Sequence, residues 1–335
     1  TKSGGCIGTI LPLHLDPRSD GRAPHPDARL LHCRTFTSTF RKFLMTSRVE
    51  HRKAVLLLVF CALCWSIAGV FTRLLERAES FEVTFWRSFF CVLGVLLIMA
   101  TQQRGNPWGV VRRMGLAGLI SGVMWAVMFT CFMVALTRTS TANTMLVSSI
   151  SPLLAALLAW AVLGERIRGG TWLSIGAALA GIFWMVREGV SAQGLSGMLI
   201  AAGVPLASAI NLITLKKMHA TVDLGPAVLI GAVLSCLVTL PLAWPLSATP
   251  GDLSILALLG FVQLAVPCML MVRAARHLQP HEIALIGLLE VVLGPIWAWL
   301  GANEAMGPAT VQGGLMVLAA LALNAWLQRR QPARA

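Results

Sequence analysis

The chain of 335 residues carries 27 Lys and Arg against 14 Asp and Glu, a net charge of +13, yet only 12% of it is charged and 56% is hydrophobic. Soluble domains carry about 25% charged residues, so a water-facing surface around the whole chain is excluded. Ten of the 27 Lys and Arg fall in residues 1–53, and no basic stripe interleaved with aromatics follows, so no nucleic-acid partner is expected.

Residues 1–44 are rich in Arg, Pro, His and Ser and hold one short apolar run, Cys6–Leu15, which is marginal for a signal peptide. With residues 45–53 they read as a disordered basic tail. Met45 opens the stretch Met-Thr-Ser-Arg-Val-Glu-His-Arg-Lys, which has the form of a natural N-terminus before a first span, so the upstream part is expected to be an extension.

From residue 54 onward the chain is a succession of apolar blocks. Each is about twenty residues long, the length that crosses about 30 Å of hydrocarbon. The blocks predict spans at 54–75, 81–101, 114–136, 141–163 and 169–187, then at 195–216, 224–245, 252–274, 281–302 and 307–328, followed by a tail at 329–335. In hydrocarbon the backbone amides must be satisfied internally, and solid apolar runs without two-residue alternation leave helices as the form they take. The expected fold is therefore an all-α integral membrane protein of ten transmembrane helices. Its eight cysteines lie mostly inside apolar blocks, and the pair Cys61 and Cys64 has no second pair or nearby His, so neither a metal nor another cofactor is expected.

The charges in the connections orient the spans. With the N-terminus inside, fifteen Lys and Arg fall on the inner side, and four (Arg73, Arg77, Arg138 and Arg187) on the outer. Positive charge concentrates on the cytoplasmic side, so both termini are expected in the cytoplasm. A shift of 139 residues matches Ala135 with Ala274, Leu146 with Leu285, Leu154 with Leu293, Trp160 with Trp299 and Glu165 with Glu304. The same Ala-Trp-x4-Glu thus ends the fourth span of each half. Five spans per half thread the second half through the membrane in the opposite sense, giving inverted repeats at 54–187 and 195–328 that can rock about a midplane cavity.

The Arg of the second span (Phe85-Trp86-Arg87-Ser88-Phe89-Phe90), the block from Ser151-Pro152 through Trp160 to Glu165, and its echo from Leu289-Glu290 through Trp299 to Glu304 carry a resemblance. Together with the two five-helix halves they resemble the EamA-type branch of the drug/metabolite transporter superfamily, over about residues 54–328. The resemblance implies a ten-helix exporter or exchanger of metabolites, often amino acids or drug-like molecules, in a bacterial inner membrane. The family often has Glu-Pro in its ninth span; here Val291 follows Glu290, and Pro295 lies one turn later.

Ionisable groups inside spans are candidates for function, because each costs about 2.5–3.5 kcal/mol at a helix centre. Glu290 falls about 13 Å into its span at 1.5 Å per residue, where it would bind a cation or a proton, or bridge helices as a neutral acid. Arg87 falls about 9 Å from the outer end and would either recognise a carboxylate or snorkel to the interface; an ion pair between the two is also open. Pro152, Pro205, Pro267 and Pro295 each remove an amide and free a carbonyl four residues earlier, at Ser148, Ala201, Gln263 and Val291, so helix breaks are expected there. The side chains of Ser148 and Gln263 join Ser66, Asn143, Asn211 and Ser208 as cavity lining or interhelical glue. Trp65 and Trp125 are candidate aromatic walls of a cavity. Gly115, Gly118 and Gly122 form a packing face.

The function these residues predict is secondary transport by alternating access; the resemblance implies a cargo of small metabolites or drug-like molecules, amino-acid-like or amphipathic, moved in the export direction. The partners expected are a small-molecule substrate, the lipid bilayer and, as a candidate coupling ion, the proton. No Gly-x4-Gly-Lys-Ser/Thr sequence is present for nucleotide-driven pumping. A membrane enzyme would need clustered nucleophiles or metal ligands, whereas the seven His are scattered. A non-transporting sensory or assembly protein is the alternative, and it would lack a cavity.

Overall fold

The computed structural model describes residues 50–101, 114–164, 166–167, 169–187, 192–217, 224–274, 277–278 and 280–329. The tail up to residue 49, Glu165 and the residues after 329 lie outside the described residues, and with them the expectations placed there. Eight helices among the described residues are long and apolar enough to cross a membrane: α1 (Glu50–Arg73), α2 (Ser80–Thr101), α3 (Gly115–Arg138), α4 (Thr141–Leu163), α6 (Gly194–Leu215), α7 (Gly225–Ala243), α8 (Pro250–Ala274) and α10 (Pro308–Leu327). Two more, α5 (Gly169–Arg187) and α9 (Pro280–Ala302), have shorter apolar stretches, Gly169–Met185 and Ile286–Ala302. No strand occurs among the described residues.

The described part of the first helix already includes residues 50–53, which the sequence assigns to the tail, so these four residues are helical. The ring of His51 reaches the His277 carbonyl and the Glu282 carboxylate, at 3.3 Å each, and ties this part of α1 to the connection before α9 and to the first turn of α9.

The outer shell is apolar and the interior is where the polar side chains gather. Leu56, Phe183 and Leu199 are each at least 69% exposed, whereas Ser88, Thr84, Ser121 and Ser235 are fully buried. Such an arrangement suits a hydrocarbon solvent, in which a buried hydroxyl needs a protein partner. Ser235 of α7 supplies one: it lies 3.0 Å from both Ser88 of α2 and Thr130 of α3, knitting three helices at one point.

The helices pair as α2 with α7, α3 with α7, α3 with α6, α4 with α6, α5 with α10, α2 with α8, and α1 with α9, while the first two turns of α4 meet α9. Ala54, Leu58 and Cys61 of α1 pack on Ala274 at the end of α8. Glycine permits the closest of these approaches. A Cβ on Gly181 of α5 would stand 2.7 Å from the backbone oxygen of Gly313 on α10, and a Cβ on Gly313 would meet the backbone oxygen of Gly181 in turn. Gly122, from the expected glycine face, abuts the side chain of Ile230 on α7, but Gly115 faces open space and Gly118 only Met114 at the start of its own helix.

Four helices are interrupted. A turn falls at Ile67 in α1, at Ser149 and Ile150 in α4 just before Pro152, and at Ala202 in α6 just before Pro205. In α8 a seven-residue π-helical stretch, Leu259–Ala265, precedes Pro267, and the amide of Val266 there bonds the carbonyl of Phe261, five residues back. Pro295 departs from the expected pattern: α9 runs through it without a break. A proline removes one amide and crowds the preceding turn, but a bend can absorb that without unwinding the helix.

Candidate functional site

A cavity of about 250 Å³ lies where α4 and α9 meet, with α3 and α6 completing its wall. The interrupted turn of α4 supplies Ser148, Ser149, Ser151 and Pro152; α9 supplies Gly287, Leu288 and Glu290; Phe132 comes from α3 and Val204 from α6. The three serines spend their hydroxyl protons on their own helix. Ser148 donates to the Thr144 carbonyl, Ser149 to that of Leu146 and Ser151 to that of Ser148, each at 2.7 Å. Their oxygens remain as acceptors, so α4 presents a weakly negative polar patch to the cavity.

Glu290 faces that patch. It stands ten residues from one end of α9 and twelve from the other, about 15 and 18 Å along the axis, hence close to mid-helix. Among the described residues its carboxylate has no hydrogen-bond or ion-pair partner. A carboxylate and a set of hydroxyl oxygens lining a largely apolar hollow can hold a cationic or proton-bearing group, and can serve as a protonation site.

Arg87 occupies a second polar position, on α2. It is 2% exposed, so it does not snorkel. Its Nε donates to Oε1 of Gln263 at 3.1 Å, and its Cζ stands 6.0 Å from the ring centroid of Phe132, the same ring that walls the cavity. Gln263 belongs to the π-helical stretch of α8, and its Nε2 donates to the Trp65 carbonyl at 3.4 Å. Arg87 and Glu290 do not form an ion pair, contrary to one of the arrangements left open by the sequence.

Ser148, Pro152 and Glu290 thus come together in the cavity, and Trp65, Arg87 and Gln263 form a cluster behind Phe132. Ser66 is fully buried one layer away, donating to the Leu63 carbonyl at 2.7 Å and accepting from Nε1 of Trp297 at 3.1 Å. Trp125 does not wall the cavity. It packs 5.3 Å from Phe129, centroid to centroid, in the apolar cluster between α3 and α7. Asn143 lies in the first turn of α4, donating to Thr139 Oγ1 at 3.2 Å, and Asn211 of α6 does not line the cavity. Pro205, Pro267 and Pro295 lie outside its lining as well.

The sequence reading missed Phe132, Ser149, Ser151 and Gly287. It also missed a polar seal that joins the ends of several helices. Arg73 at the end of α1 donates from Nε to Glu304 at 2.8 Å and from Nη2 to the Thr139 carbonyl at 2.6 Å, while the amide and hydroxyl of Thr141 donate to the same Glu304 at 2.6 and 2.8 Å. The repeated Glu pointed to position 304, but nothing in the sequence pointed to its partners.

The EamA-like transporter family model matches the chain twice, at residues 52–187 and 195–326. The pseudopaline exporter CntI of Pseudomonas aeruginosa, from strains UCBPP-PA14 and PAO1, is 26% identical over 290 residues, which cover 82% of this chain and 96% of that protein. A crystal structure of a protein 17% identical in sequence aligns with a TM-score of 0.58 over 83% of this chain and 98% of that one, a likeness of fold. The two matched segments contain the cavity, the Arg87 cluster and the seal, and this chain belongs to the EamA-like transporter family.

Proposed function

We propose that this membrane transporter is a secondary exporter of small metabolites or drug-like molecules, amino-acid-like or amphipathic, across a bacterial inner membrane, with Glu290 as the group that binds their cationic end or the coupling proton. The observation that carries the reading is the unpartnered Glu290 carboxylate in a cavity where a broken helix of one half meets its counterpart in the other. Export is the activity named for the CntI relative, and the transport direction is carried over from it.

Ten spans in two inverted halves are part of this reading. Adding five to each helix number maps the observed pairings onto one another: α3 with α6 becomes α8 with α1, α4 with α6 becomes α9 with α1, and α3 with α7 becomes α8 with α2, while α2 with α7, α4 with α9 and α5 with α10 map onto themselves. These pairings exchange with one another when the halves are exchanged, whereas the smaller contacts of α4 with α10, α3 with α4 and α1 with α3 have no comparable counterpart among the described residues; the larger contacts support a pseudo-two-fold relation between the halves, the arrangement used for alternating access. The fifteen-to-four asymmetry of Lys and Arg supports cytoplasmic termini.

The test is transport by the purified chain in proteoliposomes, with a panel of amino acids and cationic amphipathic compounds, with and without a pH gradient. Glu290→Gln is expected to lower gradient-driven flux at least about tenfold, some 1.4 kcal/mol of barrier, and to leave counter-exchange of a neutral substrate in place. Gradient-driven flux that survives the substitution would remove Glu290 from the coupling step. Absence of flux for the whole panel would overturn the reading.

A further inference from the structure

Arg87 is left unexplained by a cavity that ends at Phe132. Its Nη1 is buried and has no hydrogen-bond partner among the described residues. The other buried acids are engaged elsewhere, Glu82 with the amides of Ser247 and Ala248 and Asp252 with those of Glu76 and Arg77. Glu290 acts on Arg87 electrostatically without forming an ion pair with it, and a guanidinium held away from water without a paired carboxylate is costly and persists where a further role offsets the cost. A second observation points to that role. The π-helical stretch of α8 brings Gln263 to Arg87, and wide turns of this kind recur at functional sites. Gln263 is neutral: anchored on the Trp65 carbonyl, it fixes the guanidinium's orientation through Nε and supplies no charge of its own to pair with it.

We propose that Arg87 is an anion subsite of the transport cavity, which takes the carboxylate of an organic substrate on its free Nη1 edge once the Phe132 ring turns aside. The proposal rests on the cavity being the transport site. A carboxylate matches the planar fork of a guanidinium, and the apolar neighbours, Phe132 with Cys91 and Cys268, suit a carboxylate on a hydrocarbon body better than a strongly hydrated inorganic anion. A substrate that carries both charges would then span from Arg87 to Glu290, with the Phe132 position between them.

Thermal unfolding of the full chain in detergent tests the subsite without requiring flux, using benzoate and benzamide, which differ in charge and little in shape. Benzoate is expected to raise the unfolding temperature of the wild-type chain while benzamide leaves it unchanged. Arg87→Gln is expected to unfold at or above the wild-type temperature and to lose the benzoate shift; Arg87→Lys is expected to keep part of it, and Glu290→Gln all of it. No benzoate shift in the wild type, or an equal shift in Arg87→Gln, overturns the proposal. A fall of several degrees for Arg87→Gln also overturns it, since that marks the arginine as a structural strut. A benzoate shift without transport of any compound would sink the transport reading alone, and transport without a benzoate shift would sink the subsite alone.

Discussion

Glu82 and Asp252 hold two connections together by a reciprocal arrangement. Glu82, in the first turn of α2, accepts from the amides of Ser247 and Ala248 and the hydroxyl of Ser247, at 2.8 to 3.0 Å, in the connection that precedes α8. Asp252, in the first turn of α8, accepts from the amides of Glu76 and Arg77, at 2.8 and 3.2 Å, in the connection that precedes α2. Each acid also lies at a helix N-terminus, where the macrodipole favours negative charge. Glu82→Gln keeps the shape but replaces one acceptor oxygen with a donor that faces amides already donating. It is expected to destabilise the fold by about 2–3 kcal/mol, the scale of hydrogen bonds to a charged group, read as a lower unfolding temperature in detergent. An unchanged temperature would show that the clasp contributes nothing.

Such residues mark the limit of what the sequence discloses at this scale. Glu290 was legible because an acid inside an apolar helix is itself an anomaly. Thr249 and Asp252 form a capping box that sequence can suggest, but the amides of the first connection that share the aspartate come from 176 and 175 residues away. Ser149 and Ser151 were not legible as cavity lining, since a serine in an apolar helix commonly bonds its own backbone, as both do. Trp125 was misread for a related reason: α3 is apolar on every side, so its pattern does not say which face turns toward another helix.

At the scale of elements, the same proline signal had two outcomes. In α4 the turn before Pro152 is interrupted and three serines satisfy its carbonyls, so the break is supported locally. Around Pro295 of α9 the neighbours are Gly294 and Ile296, with no such hydroxyl, and the helix stays wound. The closest helix pairing, α5 with α10, rests instead on Gly181 and Gly313. Gly181→Val would push β-branched bulk against the backbone of α10 and is expected to destabilise by about 1–3 kcal/mol, the cost of overpacking. Gly176→Ala provides the contrast on the same helix. A Cβ there meets nothing within 4 Å, so the gain in helix propensity, up to about 1 kcal/mol, is expected to dominate. Equal effects of the two substitutions on the unfolding temperature would refute the packing argument.

For the molecule as a whole, the apolar block lengths placed the eight membrane-length helices to within a few residues, because the hydrocarbon thickness fixes the length of a span more tightly than propensity fixes a soluble helix. The contacts between halves were not legible, and Arg73 with Glu304 shows why: each is an ordinary interfacial charge in sequence, and only the fold sets them 2.8 Å apart. Arg73 and Thr141 belong to the first proposed half and Glu304 to the second, on the outer face of the proposed orientation. Alternating access requires such cross-half contacts to break on one face at each cycle. Partly buried, charge-assisted bonds of this kind contribute about 1.5–3 kcal/mol, and each 1.4 kcal/mol shifts a two-state population about tenfold. Glu304→Gln should therefore raise the outward-open fraction, read as faster reaction of a cysteine placed at Ser148 with a membrane-impermeant thiol reagent added outside, in a chain whose native cysteines are replaced. Arg73→Gln, which removes the charge from the other side of the same contact, should raise the rate in the same direction. If the rate instead stays fixed across these variants, the Arg73 to Glu304 contact is a static brace that takes no part in opening the cavity.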